Sequence, residues 1–147
     1  MTSLTRRLTL CAALALAAAP AWAADTAEQA AIRHLLMHTF DKPEARLMVD
    51  PIVVQGAHAV AGWTQGERGG RAVLRRDGKG WQITVCGGDG LKQAQALADT
   101  GMPAADAKAL AQALAAAEAR LPASQRAKFS TFEGLMRMDA HGGHPAH

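Results

Sequence analysis

Between Leu47 and Cys86 four β-prone stretches follow one another with only short, glycine-containing turns between them. Parallel neighbours need crossovers of a dozen or more residues, so connections this short force an antiparallel meander. The spacing predicts strands over 47–55, 58–65, 71–76 and 81–86. Gly66 to Gly70 reads as a flexible turn, and Asp77-Gly78 is a strong hairpin signal. Pro51 predicts an edge position or an irregularity in the first strand. In the fourth, Trp81, Ile83 and Val85 alternate with Gln82, Thr84 and Cys86, which predicts two clean faces.

Helices flank this sheet. Thr26 and Gln29 fit a capping box, and Ile32, Leu35, Leu36 and Phe40 recur at helical spacing up to Pro43. That helix is expected to cover one face of the sheet. Asp89 is placed as the cap of a short helix over 91–98, after the permissive Gly87-Gly88. Pro103 opens the next helix, with Ala107, Leu110, Leu114, Ala117 and Leu121 as its packing stripe. Asp106, Lys108, Glu118 and Arg120 are expected to point outward. Ser124 is placed as the cap of a last helix anchored by Phe129 and Phe132. The fold class is therefore α+β: an N-terminal helix on a four-stranded antiparallel meander, two or three further helices, and a disordered C-terminal tail. One domain spans 24–134, with the tail at 135–147.

The first 23 residues read as a signal peptide. Arg6 and Arg7 form the basic region, an apolar run follows from Leu8 to Ala19, Pro20 breaks it, and Ala21-Trp22-Ala23 offers a small-x-small cleavage signal. A bilayer span needs about 20 apolar residues, more than this run supplies. Leu10 fits poorly before a lipidated Cys11. Cleavage after Ala23 and export to the periplasm are expected, with no stable membrane insertion afterwards.

Export changes the charge and cysteine arithmetic. The chain has 16 basic and 13 acidic residues; without Arg6 and Arg7 the balance is 14 to 13. The high isoelectric point is then no argument for nucleic acid or anionic lipid. Cys11 leaves with the signal, so Cys86 stands without an internal disulfide partner. It reads as a buried inert thiol, an intermolecular partner or a soft metal ligand.

The C-terminal residues carry the strongest chemical signal. Met136, Met138, Asp139, His141, His144 and His147 string thioether, carboxylate and imidazole donors along a segment with almost no apolar bulk. Thioethers suit Cu(I); imidazoles suit Cu(I), Cu(II), Zn(II) and Ni(II). Gly142 and Gly143 let the backbone curl so that residues three apart converge. Ordering a flexible segment costs roughly 1–2 kcal/mol per residue, which favours capture and hand-off over permanent storage. His34 and His38, spaced i and i+4 on the first helix with Met37 beside them, form a second candidate metal site. Copper, as Cu(I) or Cu(II), is the expected ion, with zinc or nickel as alternatives.

The stretch from Ala61 to Gly70, the Leu74-Arg75-Arg76-Asp77-Gly78 turn with Trp81, and Cys86-Gly87-Gly88-Asp89 resemble exported proteobacterial proteins known as copper uptake system-associated proteins. Asp41-Lys42-Pro43-Glu44 and Met138-Asp139 share in the likeness. The resemblance implies a copper-homeostasis role beside envelope copper-transport proteins; it implies no ligand set. The helix-then-sheet order also looks like half of a cystatin-like or nuclear-transport-factor-like fold, which speaks to architecture alone.

Two other classes compete. A periplasmic small-molecule or protein-binding module would use the sheet, with Trp63, Arg71 and Arg75 as exposed contacts. An enzyme would need something like a Cys86–His58 pair on neighbouring strands. No orienting group or oxyanion motif accompanies that pair, so no enzymatic activity is expected.

Overall fold

The computed structural model describes residues 24–138. Helix α1 (Ala27–Phe40) leads into strands β1 (Leu47–Gln55), β2 (His58–Gln65), β3 (Arg68–Asp77) and β4 (Gly80–Gly87). A 3-10 turn (Asp89–Lys92) follows, then α2 (Ala94–Ala98), α3 (Ala104–Glu118), α4 (Ala123–Phe129) and a fifth strand, β5 (Leu135–Arg137). The strands form one antiparallel sheet in the order β1-β2-β3-β4-β5. The α+β class and the meander are as expected; the sheet has five strands rather than four. No helix among the described residues is long and apolar enough to cross a membrane.

The capping box forms. Thr26 Oγ1 accepts from the Gln29 backbone N–H at 3.2 Å, and Gln29 Oε1 accepts from the Thr26 N–H at 2.9 Å. Each end of this reciprocal pair satisfies a donor that the first helical turn leaves free. Ile32 and Leu36 are then buried against the sheet.

The sheet is covered on both faces. On one, α1 packs with Leu47, Val49, Ile52, Ala59, Ala61, Ala72 and Leu74. On the other, Leu91, Leu97, Leu110 and Leu114 pack with Val60, Val73 and Val85. A central strand covered twice must be apolar at consecutive positions, as Ala59, Val60 and Ala61 are.

Two bulges set which residues face which layer. In β1, Asp50 and Pro51 together oppose Gly62 of β2, because Val49 pairs with Trp63 and Ile52 with Ala61. The extra residue reverses the alternation, so Leu47, Val49, Ile52 and Val54 all face α1. Gly62 is required there: a Cβ would meet Pro51 Cδ at 2.9 Å, and the Asp50 carbonyl and Phe129 ring at 3.0 Å. Carbonyls beside the bulge find partners on α1, where Arg33 donates to Val49 and Gln29 Nε2 to Ile52 at 3.0 Å.

In β4 the extra residue is Thr84, since Val73 pairs with Val85 and Leu74 with Ile83. The expected clean alternation therefore fails. Trp81 and Ile83 pack toward α1, but Val85 joins the opposite layer and Cys86 returns to the α1 side. Sequence alternation assumes one residue per pleat, and a bulge breaks that assumption.

Gly69 and Gly70 are also not a turn. Both lie buried in β3, with Gly66 and Glu67 forming the connection. A Cβ on Gly69 would press on the Trp63 carbonyl at 2.7 Å and on the Lys128 backbone at 3.0 Å. These glycines serve close approach of chain segments rather than freedom of φ.

Candidate functional site

The bulge at Thr84 has a chemical consequence on the α1 face. It turns Cys86 toward that side, where Cys86 is directly opposite Met136 of β5. Directly paired residues in an antiparallel ladder have Cβ atoms about 4.5–5.5 Å apart and share a face. Met138 lies two residues on, and its backbone N–H donates to the Thr84 carbonyl at 2.9 Å, extending the ladder past β5. Extended chain puts i and i+2 on one side.

The three sulfur side chains accordingly line one cavity of about 210 Å³, together with Phe40, Leu47, Trp63, Gln65 and Phe132. Trp63 and Phe132 meet edge to face with centroids 6.1 Å apart. The Gln65 side-chain amide is committed elsewhere, donating to the Phe40 and Ala45 carbonyls at 2.8 and 2.7 Å. Ligand pockets for small organic molecules usually run from about 300 to 1,000 Å³, so this one is small for such a guest. It is mostly apolar, and Phe40, Trp63 and Phe132 are among its walls. Burial pushes the Cys86 thiol up to about 11.

Met136 and Met138 are thus part of the folded domain, not of a flexible tail beginning at residue 135. The alternation Met136-Arg137-Met138 was the available signal, but three residues are too few to mark a strand on their own. Asp139, His141, His144 and His147 lie outside the described residues.

The helix site is reduced to two residues. His34 and His38 are exposed, with rings parallel and centroids 6.3 Å apart. Met37 does not join them; it is half-buried and packs toward the core. It sits on the edge of the apolar stripe, where the helical wheel alone does not say which way a long flexible side chain turns. Among the described residues no group of three or more His, Cys, Asp or Glu side chains is gathered as a metal cage.

Arg71 and Glu118 depart furthest from expectation. Glu118 is expected to point outward, and Arg71 to be an exposed contact if the sheet is a binding module; both are buried. Arg71 Nε and an Nη donate to the two Glu118 carboxylate oxygens at 2.6 and 2.9 Å, a bidentate pair. Its other Nη donates to Asp89 at 3.2 Å, and the guanidinium lies 5.2 Å from the Phe129 ring centroid. Asp89 also accepts from the Ser130 hydroxyl at 3.0 Å. Burial works against the Asp89 charge, but the Ser130 hydrogen bond and the Lys92 and Arg71 charges outweigh it and hold the carboxyl below its ordinary range. Asp89 is the first residue of the 3-10 turn rather than a helix cap, and α4 starts after Pro122 rather than at Ser124. This cluster flanks an open groove of about 430 Å³, but its buried charges already satisfy each other.

The Cys86–His58 pair is not made. His58 is opposite Arg75, whereas Cys86 is opposite Ala72, and β3 runs between their strands. His58 Nδ1 instead faces Asp106 Oδ2 at 3.7 Å.

The fold and site together define a small α+β domain with a sulfur-lined apolar pocket at the edge where its last strand ends. No protein-family model, curated protein or solved structure matches the chain.

Proposed function

We propose that this is an exported accessory protein of copper homeostasis that captures copper at its C-terminal end and passes it on. One observation carries the reading: Met136 and Met138 face a common pocket, and the His-rich segment follows directly after them. Thioethers favour Cu(I), and imidazoles accept copper in either oxidation state. An anchored soft-donor pair continuous with His141, His144 and His147 suits transfer, because an ion can be passed stepwise between weak and stronger donors. The likeness to copper uptake system-associated proteins points the same way, with envelope copper-transport proteins as recipients. The small pocket volume and the mutual pairing of Arg71 with Glu118 weigh against a small-molecule module built on the sheet.

Titration of residues 24–147 with Cu(I), Cu(II) and Zn(II) tests the reading. Replacing His141, His144 and His147 by Ala should weaken Cu(II) binding by roughly tenfold or more, since each lost imidazole removes a preferred ligand. Unchanged affinity for copper in both oxidation states would refute tail capture.

A further inference from the structure

We infer that Cys86 joins Met136 and Met138 in a three-sulfur site that seats Cu(I) within the folded domain. Two features of the register converge on it, and the cavity follows from them. The Thr84 bulge turns Cys86 onto the α1 face, although simple alternation would have placed it with Gln82 on the other. Strand β5 then lays Met136 directly across from that thiol, and Met138 continues on the same side of the chain. The resulting cavity is lined by all three sulfurs, with no carboxylate or imidazole among its walls.

That donor set selects by chemistry. One thiolate and two thioethers are soft ligands, which favour Cu(I) over ions that prefer nitrogen and oxygen. Cu(I) accepts low coordination numbers, so the lack of a fourth donor is no obstacle. Trp63 and Phe132, packed edge to face, give the sulfur donors an apolar surround with few competing hard ligands. On binding, a Cu–S bond forms at Cys86 as its S–H bond breaks, and the proton passes to solvent. The ion enters and remains as Cu(I), so no electron is transferred. The inference deepens the copper reading and rests on it: the His-rich segment is the collecting arm, and this pocket is where the arm delivers.

The test is anaerobic Cu(I) loading of residues 24–147, read by competition with bicinchoninate and by copper K-edge absorption fine structure. Wild-type protein and the His141/His144/His147→Ala variant are both expected to show a sulfur-dominated shell. Cys86→Ser should lower Cu(I) affinity on the order of 100-fold, and Met136→Leu/Met138→Leu by about tenfold, as soft donors are removed. The Leu pair conserves volume, so it keeps the test valid if Cys86→Ser disturbs packing. A nitrogen-dominated shell that disappears in the His variant would overturn the pocket while leaving copper capture by the tail intact. Failure of the wild-type protein to bind any copper would overturn both.

Discussion

Arg71 is the largest fully buried side chain among the described residues, and the residues around it explain how a charge is tolerated there. Its fork meets Glu118 in a bidentate pair, Asp89 takes a third N–H, and Phe129 lies against the guanidinium face. Breaking such a pair from one side leaves a buried charge uncompensated, whereas replacing both partners with apolar residues removes the desolvation cost as well. Arg71→Met alone should therefore lose about 3–5 kcal/mol of stability, and adding Glu118→Leu should recover most of it. Urea denaturation of the two variants checks this; equal losses would mean that the pair is not what holds α3 to β3. Glu118 and Arg71 were not readable as partners. They are 47 positions apart, and each sits in a stretch whose local pattern is compatible with exposure.

At the scale of elements, what was legible depended on how local the determinants are. The α1 capping box and the β1 and β2 limits are written in neighbouring residues and appear as expected, and the hairpin signalled by Asp77-Gly78 forms one residue on, with Gly78-Lys79 as its loop. The two bulges depend on cross-strand registry, which no single stretch encodes, and the one in β4 moved Val85 and Cys86 to opposite layers from those expected. Strand β5 was missed for the same reason: its three residues are a strand because β4 offers an edge to pair with. The candidate site follows that division. Met136 and Met138 were identifiable as soft donors, but their meeting with Cys86 is a product of the register. This has a measurable consequence. Burial raises the Cys86 thiol to about 11, so at neutral pH it is protonated and slow to react. A chain ending at Met138 should keep that protection, while one ending at Gly134 should uncover the thiol and speed its reaction with an aromatic disulfide reagent by tenfold or more, by opening one wall of the cavity. Equal rates in the two chains would mean that β5 does not close the pocket.

The molecule as a whole is a sheet sandwiched between α1 and the α2–α3 layer, with Asp25–Arg33 at the start of α1 and Asp89–Arg71 beside β3 among its ion pairs. Asp25 is held below its ordinary range chiefly by its hydrogen bond from Arg33, and Asp89 by its partners despite burial. A carboxylate whose folded pKa is depressed contributes stability that is complete above its unfolded value and is lost as pH falls through the folded one. Thermal stability should accordingly change little between about pH 7 and 5 on account of these two groups, then decline below about pH 4. Melting followed by circular dichroism across that range checks it, and Asp89→Asn should blunt the acid decline. Where copper goes in this architecture is reported directly by the methionines. Met136 and Met138 line the pocket, Met48 is 64% exposed on β1, and Met102 is buried in the opposite layer. With methyl-labelled methionine, addition of one equivalent of Cu(I) under anaerobic conditions should shift the methyl resonances of Met136 and Met138 and leave those of Met48 and Met102 in place. Binding of Cu(I) with the Met136 and Met138 signals unmoved would place the ion elsewhere and rule out the sulfur pocket.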